Sequence, residues 1–175
     1  MLSSANIAAT LYTVREFTQT ADDLKKTLKL IKEIGYDGVQ LSAVGPIEPA
    51  EIRELVDEAG LVVAATHINY PRLVEEPEAV IAEHRIYDCK YVAIPSIPPE
   101  YRHEKGYYQF AEVASQAAAV LKEGGLVLGY HNHSFELEKF QGRTALEILY
   151  TESDPELFTS EIDTYWIQHG GGDPA

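Results

Sequence analysis

The sequence predicts an α/β chain of the (β/α)8-barrel type, incomplete, with about six βα units. Three observations predict it. Short apolar runs alternate with helical patterns, their starts roughly 25 to 35 residues apart, the spacing that βα units need. The run Leu61-Val62-Val63-Ala64-Ala65-Thr66 is apolar on both faces, as in a parallel strand covered by helices. Polar groups also close strand after strand: Tyr12, Gln40, His67, Ser96 after Pro95, His131 with Asn132, and Asp163. An open doubly wound sheet gathers its site at one switch point and marks strand one with a glycine-rich loop. Here Tyr12-Thr13-Val14-Arg15-Glu16 carries no glycine, and the distributed pattern favours a closed barrel.

Each element has its own signal. Strand one is Ile7 to Tyr12. Thr20 caps a helix with Asp22 and Asp23 in its first turn, and Leu24, Leu28 and Ile31, with Leu30 and Ile34, recur at helical spacing until Gly35. Strand two is Val39 to Leu41. Pro49 opens a helix lined by Ile52, Leu55, Val56 and Ala59, and Gly60 stops it. Strand three runs from Leu61 to His67. Pro77 opens a helix with Val80, Ile81 and Ile86. Tyr91 to Pro95 is strand four, ended by the proline. The longest helix carries Phe110, Val113, Ala114, Ala117, Ala118 and Leu121 and breaks at Gly124-Gly125. Strand five leads through Leu126-Val127-Leu128 into Gly129-Tyr130-His131-Asn132-His133-Ser134-Phe135-Glu136. A short helix spans Thr144 to Tyr150, and strand six is Phe158 to Asp163.

The chain's 175 residues, 45% hydrophobic and 24% charged, suffice for one domain with a core, taken as 1–175. No window is apolar for the roughly 18 residues a membrane span needs. Met1 to Asn6 shows no secretory signal, and Cys89 is alone, so no intramolecular disulfide forms. These features lead to a cytoplasmic expectation with no membrane partner. A net charge of −14 repels phosphate backbones, which disfavours a nucleic-acid partner and favours a bound divalent cation.

The candidate site residues cluster at strand ends. His131 and His133 alternate onto one side of an extended strand, where they serve substrate hydroxyls or a metal. His67 closes strand three as a substrate contact. Trp166 and Tyr12 are either an apolar wall under a bound ring or ordinary packing. Glu136 and Asp163 are the carboxylates, Asp163 doubling as a candidate cap. His84 and His103 read as surface, His169 as a loop residue. Cys89 reads as inert core, and Gly170-Gly171-Gly172 as a turn rather than a phosphate cradle.

Leu11-Tyr12-Thr13-Val14-Arg15, Gly35-Tyr36-Asp37-Gly38-Val39-Gln40-Leu41-Ser42, Tyr91-Val92-Ala93-Ile94-Pro95, Gly129-Tyr130-His131-Asn132-His133 with Glu136, and Glu161-Ile162-Asp163-Thr164-Tyr165-Trp166 occur in an order and spacing that resemble the sugar phosphate isomerase/epimerase family, with its xylose-isomerase-like TIM barrel. The resemblance implies metal-dependent proton transfer next to a carbonyl of a sugar or polyol. It implies Glu136 as metal ligand and catalytic base, and Asp163 as second ligand, for Mn²⁺, Mg²⁺, Co²⁺ or Zn²⁺. The family's remaining His and Glu ligands lie on strands seven and eight. The chain is therefore expected to be a truncated barrel whose open edges favour self-association. An inactive fragment or a sugar-binding module is the alternative. A nuclease of the AP-endonuclease kind is disfavoured by the charge.

Overall fold

The computed structural model describes residues 7–175, so the reading of Met1 to Asn6 lies outside the described residues. In chain order the elements are β1 (Ala8–Thr10), α1 (Ala21–Ile34), β2 (Gly38–Leu41), α2 (Pro49–Glu58), β3 (Val62–His67), α3 (Tyr70–Glu75) and α4 (Pro77–Tyr87). Then come β4 (Tyr91–Ile94), α5 (Glu104–Glu123), β5 (Val127–His131), α6 (Ala145–Glu152), β6 (Phe158–Glu161) and α7 (Thr164–His169). The expected strand–helix alternation is present. Among the described residues, no helix is long and apolar enough to cross a membrane.

The chain forms two compact units, one of residues 7–67 and 82–91, the other of residues 68–81 and 92–175. In the first unit, β1 pairs parallel with β2, and β2 with β3. The Thr20 hydroxyl accepts the Asp23 N–H and starts α1, and Gly35, at φ 112°, ends it in the left-handed conformation. Gly38 is required for packing: a Cβ there would lie 2.7 Å from the Val62 carbonyl oxygen across the sheet. Leu24, Leu28, Ile31, Val39, Ile52, Val56 and Val63 form the core with Cys89. Leu30 and Ile34 share the helical spacing but face solvent.

Two details of this unit depart from the sequence reading. Tyr12 lies outside β1, in a run of 3-10 helix over Leu11–Phe17. Its side chain is 53% exposed, with the Arg15 guanidinium 4.4 Å from the ring centre. His84, expected on the surface, is buried, because it follows Val80 and Ile81 at the helical spacing of their inward face; its Nε2 lies 2.8 Å from the Thr66 hydroxyl. Cys89 is buried as expected, and burial pushes its thiol pKa up.

In the second unit, β5 pairs parallel with β6, covered by α5 and α6. Phe110, Ala114, Ala118, Leu121, Leu128, Tyr130, Ile148 and Phe158 are the heart of that core. α6 starts where the Thr144 hydroxyl accepts the Glu147 N–H. A hairpin pairing Lys139–Phe140 with Arg143–Thr144 and the short helices α3 and α7 were not anticipated. Each is only two to six residues long, too short for a periodic signal.

Candidate functional site

The site grows from the register of β5 and β6. Tyr130 pairs with Ser160, and His131 with Glu161. Side chains of neighbouring residues in a parallel pair share a face, so His131 and Glu161 project together. His131 Nδ1 lies 3.1 Å from Glu161 Oε1, and Nε2 lies 3.7 Å from Asp163 Oδ2. The imidazole thus has a carboxylate at each nitrogen. The three side chains are 16%, 30% and 28% exposed, sheltered but open to a small molecule.

Asp163 is held by two features. Its Oδ1 accepts the Trp166 N–H at 3.1 Å, which caps α7 and leaves Oδ2 turned to the imidazole. Buried Asn132 then clamps the backbone: its side-chain oxygen accepts the Asp163 N–H at 2.8 Å, and its amide donates to the Asp163 carbonyl at 3.3 Å. A side-chain amide thus continues the sheet by one step past the end of β5.

Glu136 occupies a different setting. It is fully buried within a 3-10 turn over Phe135–Leu137. The Tyr130 hydroxyl donates to Oε1 at 2.5 Å, and the His133 N–H donates to Oε2 at 2.8 Å. The same Tyr130 hydroxyl accepts the Ile97 N–H at 3.1 Å. Burial raises the Glu136 pKa, against the pull of those hydrogen bonds. Burial and the Glu136 charge both push the Tyr130 pKa far up, so this phenol stays a donor.

Aromatic rings surround the turn. The His133 ring stacks on Phe135 with centroids 5.5 Å apart, and meets His131 at 5.1 Å and Trp166 at 5.4 Å. His169 ends α7 and lies 5.3 Å from Trp166. The structure therefore gathers His131, His133, Asp163 and Trp166 in one place, with Glu136 beneath the turn. Tyr12 and His67 belong to the first unit, where His67 Nδ1 lies 2.9 Å from the Ser42 hydroxyl. His103 caps α5, accepting the Gly106 N–H. Glu161 and Asn132 were missed as site residues. The matching run Glu161-Ile162-Asp163 held the signal, since alternation puts Glu161 and Asp163 on one side of an extended chain.

No protein-family model and no curated protein matches the chain. Solved structures do. A sugar phosphate isomerase/epimerase from Parabacteroides distasonis ATCC 8503 superposes with a TM-score of 0.82 at 21% identity, covering 99% of this chain and 71% of that one. The chain has the TIM-barrel fold. It spans an incomplete barrel. An AP endonuclease of family 2 from Brucella melitensis matches with a TM-score of 0.68 at 16% identity, covering 95% of this chain and 71% of that one. A xylose isomerase-like TIM barrel protein from Mycobacterium smegmatis, in complex with magnesium, matches at 0.61 and 14% identity, covering 92% and 66%.

Proposed function

We propose that the chain is part of a metal-dependent isomerase or epimerase that moves a proton next to a carbonyl of a sugar or related polyol. The observation that carries this reading is the His131 imidazole set between the Glu161 and Asp163 carboxylates at the ends of β5 and β6. A divalent cation fits this donor set, since imidazole nitrogen and carboxylate oxygen together suit Mn²⁺, Mg²⁺, Co²⁺ or Zn²⁺. His131, Glu161 and Asp163 are the residues that would hold it. When bound, such an ion polarises a carbonyl and makes the neighbouring C–H acidic. Glu161 takes that proton as its C–H bond breaks, and the electron pair spreads onto the carbonyl oxygen. Return of the proton to the former carbonyl carbon, as the neighbouring hydroxyl gives its proton to the former carbonyl oxygen, isomerises the sugar; return to the other face of the original carbon epimerises it. Trp166 and His133 offer ring faces and an N–H to the sugar.

The family resemblance implied the base and first ligand at Glu136. In this proposal Glu136 holds the turn instead, because both of its oxygens already accept hydrogen bonds inside the protein. The likeness to isomerase/epimerase structures supports the reading at the level of the fold. The nuclease reading has a structural neighbour of its own, but a charge of −14 opposes a DNA substrate.

The test is deuterium uptake. The chain is incubated with Mn²⁺ and a panel of aldoses, ketoses and their phosphates in D₂O, and exchange beside the carbonyl is followed by NMR. Metal-dependent exchange that falls at least a hundredfold in Glu161→Gln is expected, the usual scale for removing a proton-transfer group. Exchange that survives Glu161→Gln unchanged, or no exchange with any sugar, overturns the proposal.

A further inference from the structure

We propose that Arg102 is an oxyanion-binding residue that receives the phosphate or carboxylate substituent of the substrate. This rests on the isomerase reading for the identity of the sugar, so that the substrate is an anionic sugar rather than a neutral one.

The chain has 14 basic residues against 28 acidic ones, and among the described residues six of the 14 find a carboxylate. Arg53, Arg72 and Arg143 each do. Arg102 does not, among the described residues. Its Nε–H donates to the Ile97 carbonyl at 3.1 Å, one Nη2–H donates to the Ser96 hydroxyl at 3.1 Å, and its Cζ lies 4.3 Å from the centre of the Phe135 ring. All three contacts are to neutral groups. They fix the guanidinium plane and use two of its five N–H groups, leaving an edge of Nη1 and Nη2 donors. An ordered fork with donors to spare matches the paired oxygens of a phosphate or carboxylate, and its ordering cost is already met.

Its position agrees. Arg102 sits in the loop after β4, against Phe135 in the loop after β5. Phe135 stacks on His133, and His133 touches His131. The cation is thus one ring removed from the imidazole pair where the carbonyl chemistry is placed. In a phosphorylated or acidic sugar the anionic group likewise lies several bonds from the carbonyl. The charge of Arg102 also favours the ionised form of Glu136. A bound oxyanion would share that cation without displacing either hydrogen bond that holds it.

The experiment is an NMR titration of the ¹⁵N-labelled 175-residue chain with inorganic phosphate, and separately with acetate, at constant ionic strength in chloride. The Arg102 Nε–H signal is assigned with Arg102→Gln and Arg102→Lys. A saturable shift of this signal is expected, larger than those of Arg53 and Arg143. Arg102→Gln should weaken phosphate binding by about tenfold or more, the scale of charge-assisted hydrogen bonds, and Arg102→Lys by less. Tighter phosphate than acetate binding assigns a phosphate monoester; the reverse assigns a sugar acid. An Arg102 signal that moves no more than those of the paired arginines, or phosphate affinity unchanged in Arg102→Gln, overturns the proposal. If Arg102→Gln does not fold, the wild-type titration read against Arg102→Lys decides it. The titration needs neither metal nor turnover. A chain without isomerase activity leaves a positive result standing, and a negative result leaves the isomerase reading with a neutral sugar.

Discussion

Two carboxylate regions of the second unit show how surroundings set the job of the same chemical group. Under the turn after β5, Glu136 is sealed from solvent, and its two oxygens accept from a phenol and a backbone N–H. At the end of β6, Glu161 and Asp163 are about one-third exposed and face an imidazole. A buried acid with both oxygens engaged is fastened to the protein it supports. A sheltered acid open on one side is able to exchange protons or ligands. The comparison teaches that position after a strand does not by itself mark a carboxylate as chemical. What the protein has already given it to bind decides.

The sharpest way to break this contrast is Glu136→Ala. It strands the Tyr130 hydroxyl and the His133 N–H in the core, each costing about 1–3 kcal/mol, so urea unfolding should show a loss of about 3 kcal/mol. Glu136→Gln keeps the shape and one acceptor and should lose about 1 kcal/mol. The pair also has a pH signature. Burial holds the Glu136 proton more tightly in the folded chain than in the unfolded one. The unfolded state therefore releases that proton first as pH rises, and stability is lost from the ordinary value of 4.5 upward through the raised one. Lowering the pH toward 4.5 should thus stabilise the wild type relative to Glu136→Gln. A constant difference between the two across that range would show that Glu136 titrates as an exposed acid does.

Asp163 sharpens the comparison at the other end, because one oxygen caps a helix and the other faces His131. Asp163→Ala should lose about 1 kcal/mol of stability through the cap. Asp163→Asn should keep the cap, since Asn is an equally good N-cap. Both should weaken Mn²⁺ binding, measured by calorimetry, by about tenfold. Equal Mn²⁺ affinity in all three proteins would confine Asp163 to capping.

Much of the second unit was legible in the sequence because its signals are local. Thr144 caps α6, Gly124 and Gly125 follow α5, and Leu126 to Leu128 lead into the sheet. Asp163 was legible for the same reason: it closes an apolar run and precedes a helical turn. Glu161 was legible only in part: alternation sets it on the side of Asp163, but its pairing with His131 depends on which strand lies beside it and in which register, and that is set by the whole sheet. The burial of Glu136 was hidden for a related cause. Tyr130 points into the core from the strand face opposite His131, and only the folded turn returns Glu136 to that phenol. His84 was within reach, because its spacing from Val80 and Ile81 already placed it on their buried face.

The smallest expected effect concerns the first unit, at His67 on the end of β3. At His67 one ring contact is the Ser42 hydroxyl, 2.9 Å from Nδ1. A hydroxyl can give or take a proton, whereas the carboxylates beside His131 can only accept. The Ser42 contact therefore steers the His67 tautomer. Ser42→Ala should cost about 0.5–1 kcal/mol, the net worth of one hydrogen bond, in urea unfolding. It should also broaden the His67 ring-nitrogen signals toward a mixture of tautomers while leaving those of His131 in place. Sharp, unmoved His67 signals in Ser42→Ala would mean that other neighbours set the ring, and that the hydroxyl contact follows the imidazole rather than directing it.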